Sequence, residues 1–120
     1  MIKNFAVGID IVAVKKFKDA KSSDPYLKKI FTKKELEYCF AKKTFAESLA
    51  ARFAAKEAAI KSLSKFKIIP DFADIEVGHD KNQRPYVTIK SAKIQKMFAF
   101  DLSISHEDDF AVAVILTEKI

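Results

Sequence analysis

The chain contains a single cysteine, Cys39, among 120 residues. That excludes an internal disulfide and a multi-cysteine metal site, and it fits a reducing compartment. The residue reads as a small core side chain rather than a nucleophile. Glycine and proline are scarce, two and three residues, so loops should be few and short. No run of 18 apolar residues occurs, which excludes a membrane-spanning helix. The opening MIKNFAVGID holds too short an apolar stretch for a secretory signal, and a cytoplasmic protein is expected. Repeats and low-complexity segments are missing. A GxxxxGK[ST] motif is also missing, which removes the P-loop route to phosphate. There is no nucleophile elbow for a Ser-His-Asp arrangement, and His79, His106 and Cys39 lack zinc-ligand spacing.

What is present is apolar and basic. Hydrophobic residues make up 49% of the chain, enough for one folded domain over residues 1–120. The net charge is +6, and it is unevenly spread. Residues 1–67 hold 16 Lys/Arg against 7 Asp/Glu, whereas residues 68–120 hold 6 against 9. A basic half beside an acidic half points to an anionic partner on one side. A solvated lysine-rich surface gives the same count.

The pattern of elements is β, helices, β-hairpin, helix, β-hairpin. FAVGIDIVAV (5–14) is a strand interrupted by Asp10, VKKFKDAKS a short helix, and Asp24-Pro25 starts a turn before PYLKKIF. Thr32 with Glu35, and Thr44 with Glu47, have capping-box spacing, the second opening a long helix over 45–64. ADIEVGHD (73–80) and RPYVTIK (84–90) form a hairpin around a polar turn in which His79 is solvated. SAKIQKMFA is a short helix, and two strands join near His106–Asp109. Helices early and strands late favour an α+β fold, a small, mainly antiparallel sheet with helices packed on it. FAVAVIL (110–116) is apolar at consecutive positions, which predicts two buried faces. Few helices are available to cover both, so a subunit interface would solve the problem.

The charges on the long helix are oddly placed. At about 100° per residue, Phe45, Leu49, Phe53, Ile60 and Leu63 fall in one arc with Lys56 inside it. Glu57 and Lys61 lie just outside that arc, with Ala50 and Ala54 on the same side, where another backbone or a ligand could come close. An ordinary ion pair between Glu57 and Lys61, with Lys56 snorkelling outward, is the simple account. Asp10 argues for more. A buried carboxylate in a strand needs a cation or several donors, and Gly8, on the same side of the strand, leaves room for an approach. Two carboxylates with two or three lysines match Mg²⁺ with phosphate oxygens, the metal taking one or two carboxylates and the ammoniums acting as point charges. Ser105 and His106, in SISH, add a hydroxyl and an imidazole at a strand end.

These segments carry a resemblance. GIDIV near the start, RFAAKEAAIKSL in the middle and LSISHEDDFAVAV near the end resemble the holo-(acyl-carrier-protein) synthases, the small bacterial class of 4′-phosphopantetheinyl transferases. The resemblance spans nearly the whole chain in order. It implies that fold, assembled as a homotrimer with sites between subunits, and a place in fatty acid biosynthesis. The activity it implies is Mg²⁺-dependent transfer of 4′-phosphopantetheine from coenzyme A to a serine of apo acyl carrier protein, releasing adenosine 3′,5′-bisphosphate. By resemblance Asp10 and Glu57 bind the metal, and Lys61 holds phosphate oxygens as a third catalytic residue. Arg52, Phe53, Lys56, Ser105 and His106 line the coenzyme site, and NQRP (82–85) matches the turn near the adenine, bringing in Arg84 and Pro85. Two departures stand out. SKFKIIPDF follows Leu63 where the family has a glycine-rich loop, with Lys65 or Lys67 available in place of its amides. Ala13 and Lys16 replace the usual Glu and Arg. Acyl carrier proteins are acidic, so Lys15, Lys16, Lys18 and Lys21 form the expected docking surface.

Two other functions fit parts of the pattern. A small basic RNA-binding module explains the charge but not Asp10 and Glu57, which repel phosphate without a metal. It also lacks the aromatic-basic pattern of RNA platforms, so neither nucleic acid nor membrane is expected as a partner. An acyltransferase would use coenzyme A but leave its pyrophosphate intact.

Overall fold

A computed structural model describes all 120 residues. Strand β1 (Phe5–Ala13) runs into a 3₁₀ turn (Val14–Phe17) and helices α1 (Pro25–Ile30), α2 (Lys33–Phe40) and α3 (Phe45–Ser64). A second 3₁₀ turn (Phe72–Asp74) leads into the hairpin of β2 (Ile75–His79) and β3 (Pro85–Ile89). Helix α4 (Ala92–Met97) and strands β4 (Phe98–Glu107) and β5 (Phe110–Lys119) complete the chain. The strands form a three-stranded antiparallel sheet in the order β1-β5-β4 and a separate two-stranded antiparallel hairpin, β2-β3. This is the expected α+β architecture.

Local chemistry accounts for most boundaries. Asp24 caps α1, its carboxylate accepting from the Tyr26 N–H at 2.9 Å, with Pro25 in the first turn. Thr32 and Glu35 form the expected capping box on α2. Thr44 does not cap α3, because its side chain makes no bond to the helix. The expected helix after Val14 shrinks to one 3₁₀ turn, and the last turn tightens to Asp108–Asp109, leaving His106 inside β4. Past α3, Lys67 takes a left-handed backbone (φ 62°), and the Ile68 N–H bonds back to the Leu63 carbonyl. The chain thus makes with lysine a turn that glycine makes without strain. The Lys65 ammonium bonds the Ile2 and Phe5 carbonyls, which commits it to the N-terminal segment rather than to a ligand.

Helix α3 lies across the inner face of the sheet on alanines: Ala50, Ala54, Ala55, Ala58 and Ala59 are fully buried. The small residues read from sequence as clearance are therefore core packing against β1 and β5. Gly8 shows how close the approach is. A Cβ there would sit 1.8 Å from the Ala58 carbonyl oxygen. The space beside Gly8 is filled by the protein's own helix, and any side chain would push α3 off the strand. Past its first turn, the least buried positions on the helix are Phe53, Glu57, Ile60, Lys61 and Ser64, one stripe at helical spacing.

The sheet's other face is bare. Val7, Ile9 and Ile11 are 59–66% exposed, and they pair in register with Leu116, Val114 and Val112 of β5. The apolar run in β5 thus has one face on α3 and one face open to solvent.

Candidate functional site

The residues singled out from sequence gather in two places, one on each flank of α3. The first is where α3 crosses β1. Asp10, half-buried on the inner face of β1, meets the Lys61 ammonium at 3.2 Å. Lys61 also donates to the Ile9 carbonyl at 3.0 Å, which leaves one of its three N–H groups free. Glu57 lies half-buried one turn before Lys61 in the open stripe. Lys61 pairs with Asp10 and not with Glu57, so the simple intrahelical ion pair does not form. Phe53 stands one turn before Glu57. Its ring stacks on Phe72, and the Lys16 ammonium lies 4.9 Å from its centroid.

The second place is a cleft of about 320 Å³ between α2, the first half of α3, the tip of the β2-β3 hairpin and β4. Arg52, Pro85 and His106 line it, together with Tyr38, Lys42 and His79. Arg52 is buried, with its guanidinium 4.2 Å above the Tyr38 ring centroid and one terminal nitrogen 3.2 Å from His79 Nδ1. Its Nε–H has no hydrogen-bond partner, a costly omission for a buried cation. Lys42 bonds the Tyr38 hydroxyl at 2.8 Å and lowers the phenol's pKa. Burial, then the Arg52 and Lys42 charges, hold the His79 imidazole below its ordinary value and favour its neutral form. His106 Nδ1 stands 3.8 Å from Glu47, the one acidic side chain in the lining.

Four sequence expectations are corrected by these positions. Lys56 does not reach a ligand. It is fully buried, pairs with Glu35 at 2.6 Å, and donates to the carbonyls of Ile75, Ile30 and Phe72. Its three N–H groups are spent inside the core. Ser105 alternates onto the outer face of the sheet beside Val112, away from the cleft that holds its neighbour His106. Arg84 pairs with Asp101 at 3.0 Å on the surface, leaving only Gln83 and Pro85 of its turn at the cleft. His79, expected in solvent, stacks on Tyr38 with centroids 5.5 Å apart. The strand period carried that signal, since Ile75, Val77 and His79 share one face. Cys39 is fully buried and its thiol is pushed up to about 11 by desolvation, so it stays protonated.

One flank thus offers two carboxylates and a lysine, and the other a cationic, aromatic cleft. Residues 6–115 match the 4′-phosphopantetheinyl transferase superfamily. The sequence is 40% identical to the holo-[acyl-carrier-protein] synthase of Aquifex aeolicus, across 94% of this chain and 98% of that protein. It is 42% identical to the synthase of Caldicellulosiruptor saccharolyticus, across 96% and 97%.

The chain belongs to the holo-(acyl-carrier-protein) synthases.

Solved structures of this family agree in fold. The Chronobacterium ammoniagenes ACPS–CoA complex superposes with a TM-score of 0.81 at 30% identity, covering 98% of this chain and 99% of that one. The Bacillus anthracis holo-(acyl-carrier-protein) synthase in complex with CoA (3′,5′-ADP) gives 0.78 at 31% identity, covering 96% of each. The chain is therefore a phosphopantetheinyl transferase. In its sheet, Asp10 and Ile104 flank Ala113 of β5 in register, so the two flanks are set two strand spacings apart, roughly 10 Å.

Proposed function

We propose that this transferase moves 4′-phosphopantetheine from coenzyme A to a serine of apo acyl carrier protein, with Mg²⁺ held by Asp10 and Glu57. The observation that carries the site is the crossing of α3 and β1, where Asp10 pairs with Lys61, one N–H of the lysine stays free, and Glu57 lies one helical turn before it. No group of three or more His, Cys, Asp or Glu gathers anywhere in the chain, so an all-protein metal cage is absent. Two carboxylates suit Mg²⁺, which completes its shell with water and substrate phosphate. When bound, the metal supplies Lewis-acid neutralisation of the pyrophosphate charge.

The chain's own groups do the rest. The serine oxygen attacks the β-phosphorus of coenzyme A. The bond from that phosphorus to the bridging oxygen breaks, and adenosine 3′,5′-bisphosphate leaves with that oxygen. The serine proton passes to a carboxylate or water at the site. Lys61 offsets charge on the departing group. In the cleft, Arg52 with its unpaired Nε–H and His106 are placed to take phosphate oxygens, beside Pro85. An exposed row of Lys15, Lys16, Lys18 and Lys21 next to β1 suits an acidic carrier.

We assign the bare face of β1 and β5 to contact with further copies of the chain in a homotrimer, because solvent is a poor neighbour for six apolar side chains in register. A shared site would also explain why one chain presents its predicted residues as two separate groups, with Ser105 on the outer face. No helix is long and apolar enough to cross a membrane. A reducing cytoplasm suits the buried thiol of Cys39.

Incubation of apo acyl carrier protein with coenzyme A and Mg²⁺, read by mass spectrometry, tests the proposal. Addition of the phosphopantetheine mass is expected. Addition of an acyl mass alone would make the chain an acyltransferase, and an unmodified carrier with bound bulk RNA would favour the binding module.

A further inference from the structure

The buried charge in the middle of α3 is not used by the transfer chemistry. Lys56 is 0% exposed, and its ammonium lies 2.6 Å from Glu35 Oε1. It also donates to the carbonyl oxygens of Ile75 at 2.6 Å, Ile30 at 2.8 Å and Phe72 at 3.0 Å. Glu35, 1% exposed, is equally committed. Its Oε1 accepts from the Thr32 N–H and its Oε2 from the Val77 N–H, both at 2.8 Å. This one pair ties α3 to α2, to the end of α1, to the turn before β2, and to β2 itself.

Its position relative to the cleft gives the pair a second meaning. Lys56 lies one helical turn after Arg52 on α3. Glu35 lies one turn before Tyr38 on α2, and Val77 lies two residues before His79 on the same face of β2. Each member of the buried trio therefore shares an element and a side with one member of the cleft trio. The cleft trio is itself a tight stack: guanidinium over phenol at 4.2 Å, phenol against imidazole at 5.5 Å, guanidinium to Nδ1 at 3.2 Å. Those contacts come from three elements and survive only if the three keep one register. The apolar core presses elements together without fixing a rotation or a slide, because burial is non-directional. Hydrogen bonds and a short ion pair fix both.

We propose that Glu35 and Lys56 are positioning residues for the coenzyme-binding cleft, the buried pair setting the register of α2, α3 and β2 that holds Tyr38, Arg52 and His79 in one stack. This rests on the assignment of the cleft to coenzyme A made above.

The test uses the full chain carrying Glu35→Gln and Lys56→Met together, which removes both charges at nearly constant volume and leaves neither alone in the core. Two readouts are taken: the titration of the His79 ring by NMR, and the KM for coenzyme A against that for the carrier. In the wild type the imidazole faces Arg52 of α3, Tyr38 of α2, Lys42 just past the end of α2, and Asp80 of the hairpin turn. Burial and the two cations outweigh the aspartate and hold its pKa low. In the double variant His79 should titrate closer to its ordinary value, and the coenzyme A KM should rise roughly ten- to a hundredfold. The carrier KM should stay within about twofold, whereas a mere loss of folded protein would lower turnover and leave both KM values unchanged. Glu35→Gln with Lys56→Gln, which also leaves no charge alone in the core and keeps a donor for the carbonyls, should move both readouts the same way by less, and it stands in if the first double variant does not fold. A folded variant with wild-type His79 titration and wild-type coenzyme A KM would overturn the proposal. Arg52→Ala separates the two claims. If it leaves the coenzyme A KM unchanged, the cleft is not the coenzyme site, and the His79 titration of the double variant still decides whether the pair sets the register.

Discussion

Helix α3 carries two lysines five residues apart, Lys56 and Lys61, and each meets a carboxylate from another element. Lys56 and Glu35 are 2.6 Å apart and sealed, every donor matched. Lys61 and Asp10 are 3.2 Å apart, with the lysine side chain 54% exposed and a donor to spare. The sequence KEAAIK places both lysines beside Glu57 and says nothing of this difference. What separates a structural pair from a reactive one is saturation. A charge whose hydrogen bonds are all made inside the protein cannot answer a ligand, whereas one left half-satisfied at the edge of the core can.

Substitution of the two lysines should separate them on opposite axes. Lys56→Met leaves Glu35 charged and alone in the core, and should cost about 3–5 kcal/mol of stability, read by denaturant unfolding. Lys61→Met should cost under about 1 kcal/mol on the same scale, because the pair is solvated. Its turnover should nonetheless fall roughly 10²–10³-fold, the loss expected from one pre-organised charge at developing negative charge. A Lys61→Met enzyme with wild-type turnover would erase the contrast.

The basic surface offers a smaller effect and sharpens the same distinction between solvated and sealed charge. Salt should raise the carrier KM steeply and the coenzyme A KM less, since exposed lysines are screened over a Debye length of about 8–10 Å. Lys16→Glu should raise the carrier KM, and an unchanged value would move the docking surface away from residues 15–21. The smallest effect concerns His79. Its folded pKa lies below the ordinary 6.5, so as pH falls below that value the unfolded chain takes up the proton first and the fold loses stability. That contribution is fully present above 6.5 and is lost on acidification. The decline in melting temperature between pH 7 and 5 should be shallower in His79→Gln than in the wild type.

Much of the fold was legible because local signals agreed with it. The Thr32–Glu35 capping box, the Asp24-Pro25 start and the two hairpins all formed near their expected places. Thr44 misled because capping-box spacing does not fix the N-cap backbone, and here φ and ψ carry its hydroxyl away from the helix. In the site, Asp10, Glu57, Lys61 and His106 were readable as charge or polarity out of pattern, whereas Arg52 and Pro85 came only from the family resemblance. Lys56 was out of pattern too, and its partners lie 16 to 26 residues away along the chain, where no periodicity reveals them. Tyr38 and Lys42 were hidden for the same reason. Their role appears only once α2 is laid against β2 and α3.

The central claim is that Glu57 belongs to the metal-binding flank and not to a surface ion pair. Turnover of Glu57→Ala at ordinary Mg²⁺, measured beside its melting temperature, tests it most directly. The expected result is wild-type melting with turnover reduced about 10²–10³-fold and partly restored by excess Mg²⁺. A Glu57→Ala enzyme that melts normally and turns over at the wild-type rate would contradict the site at the crossing of α3 and β1.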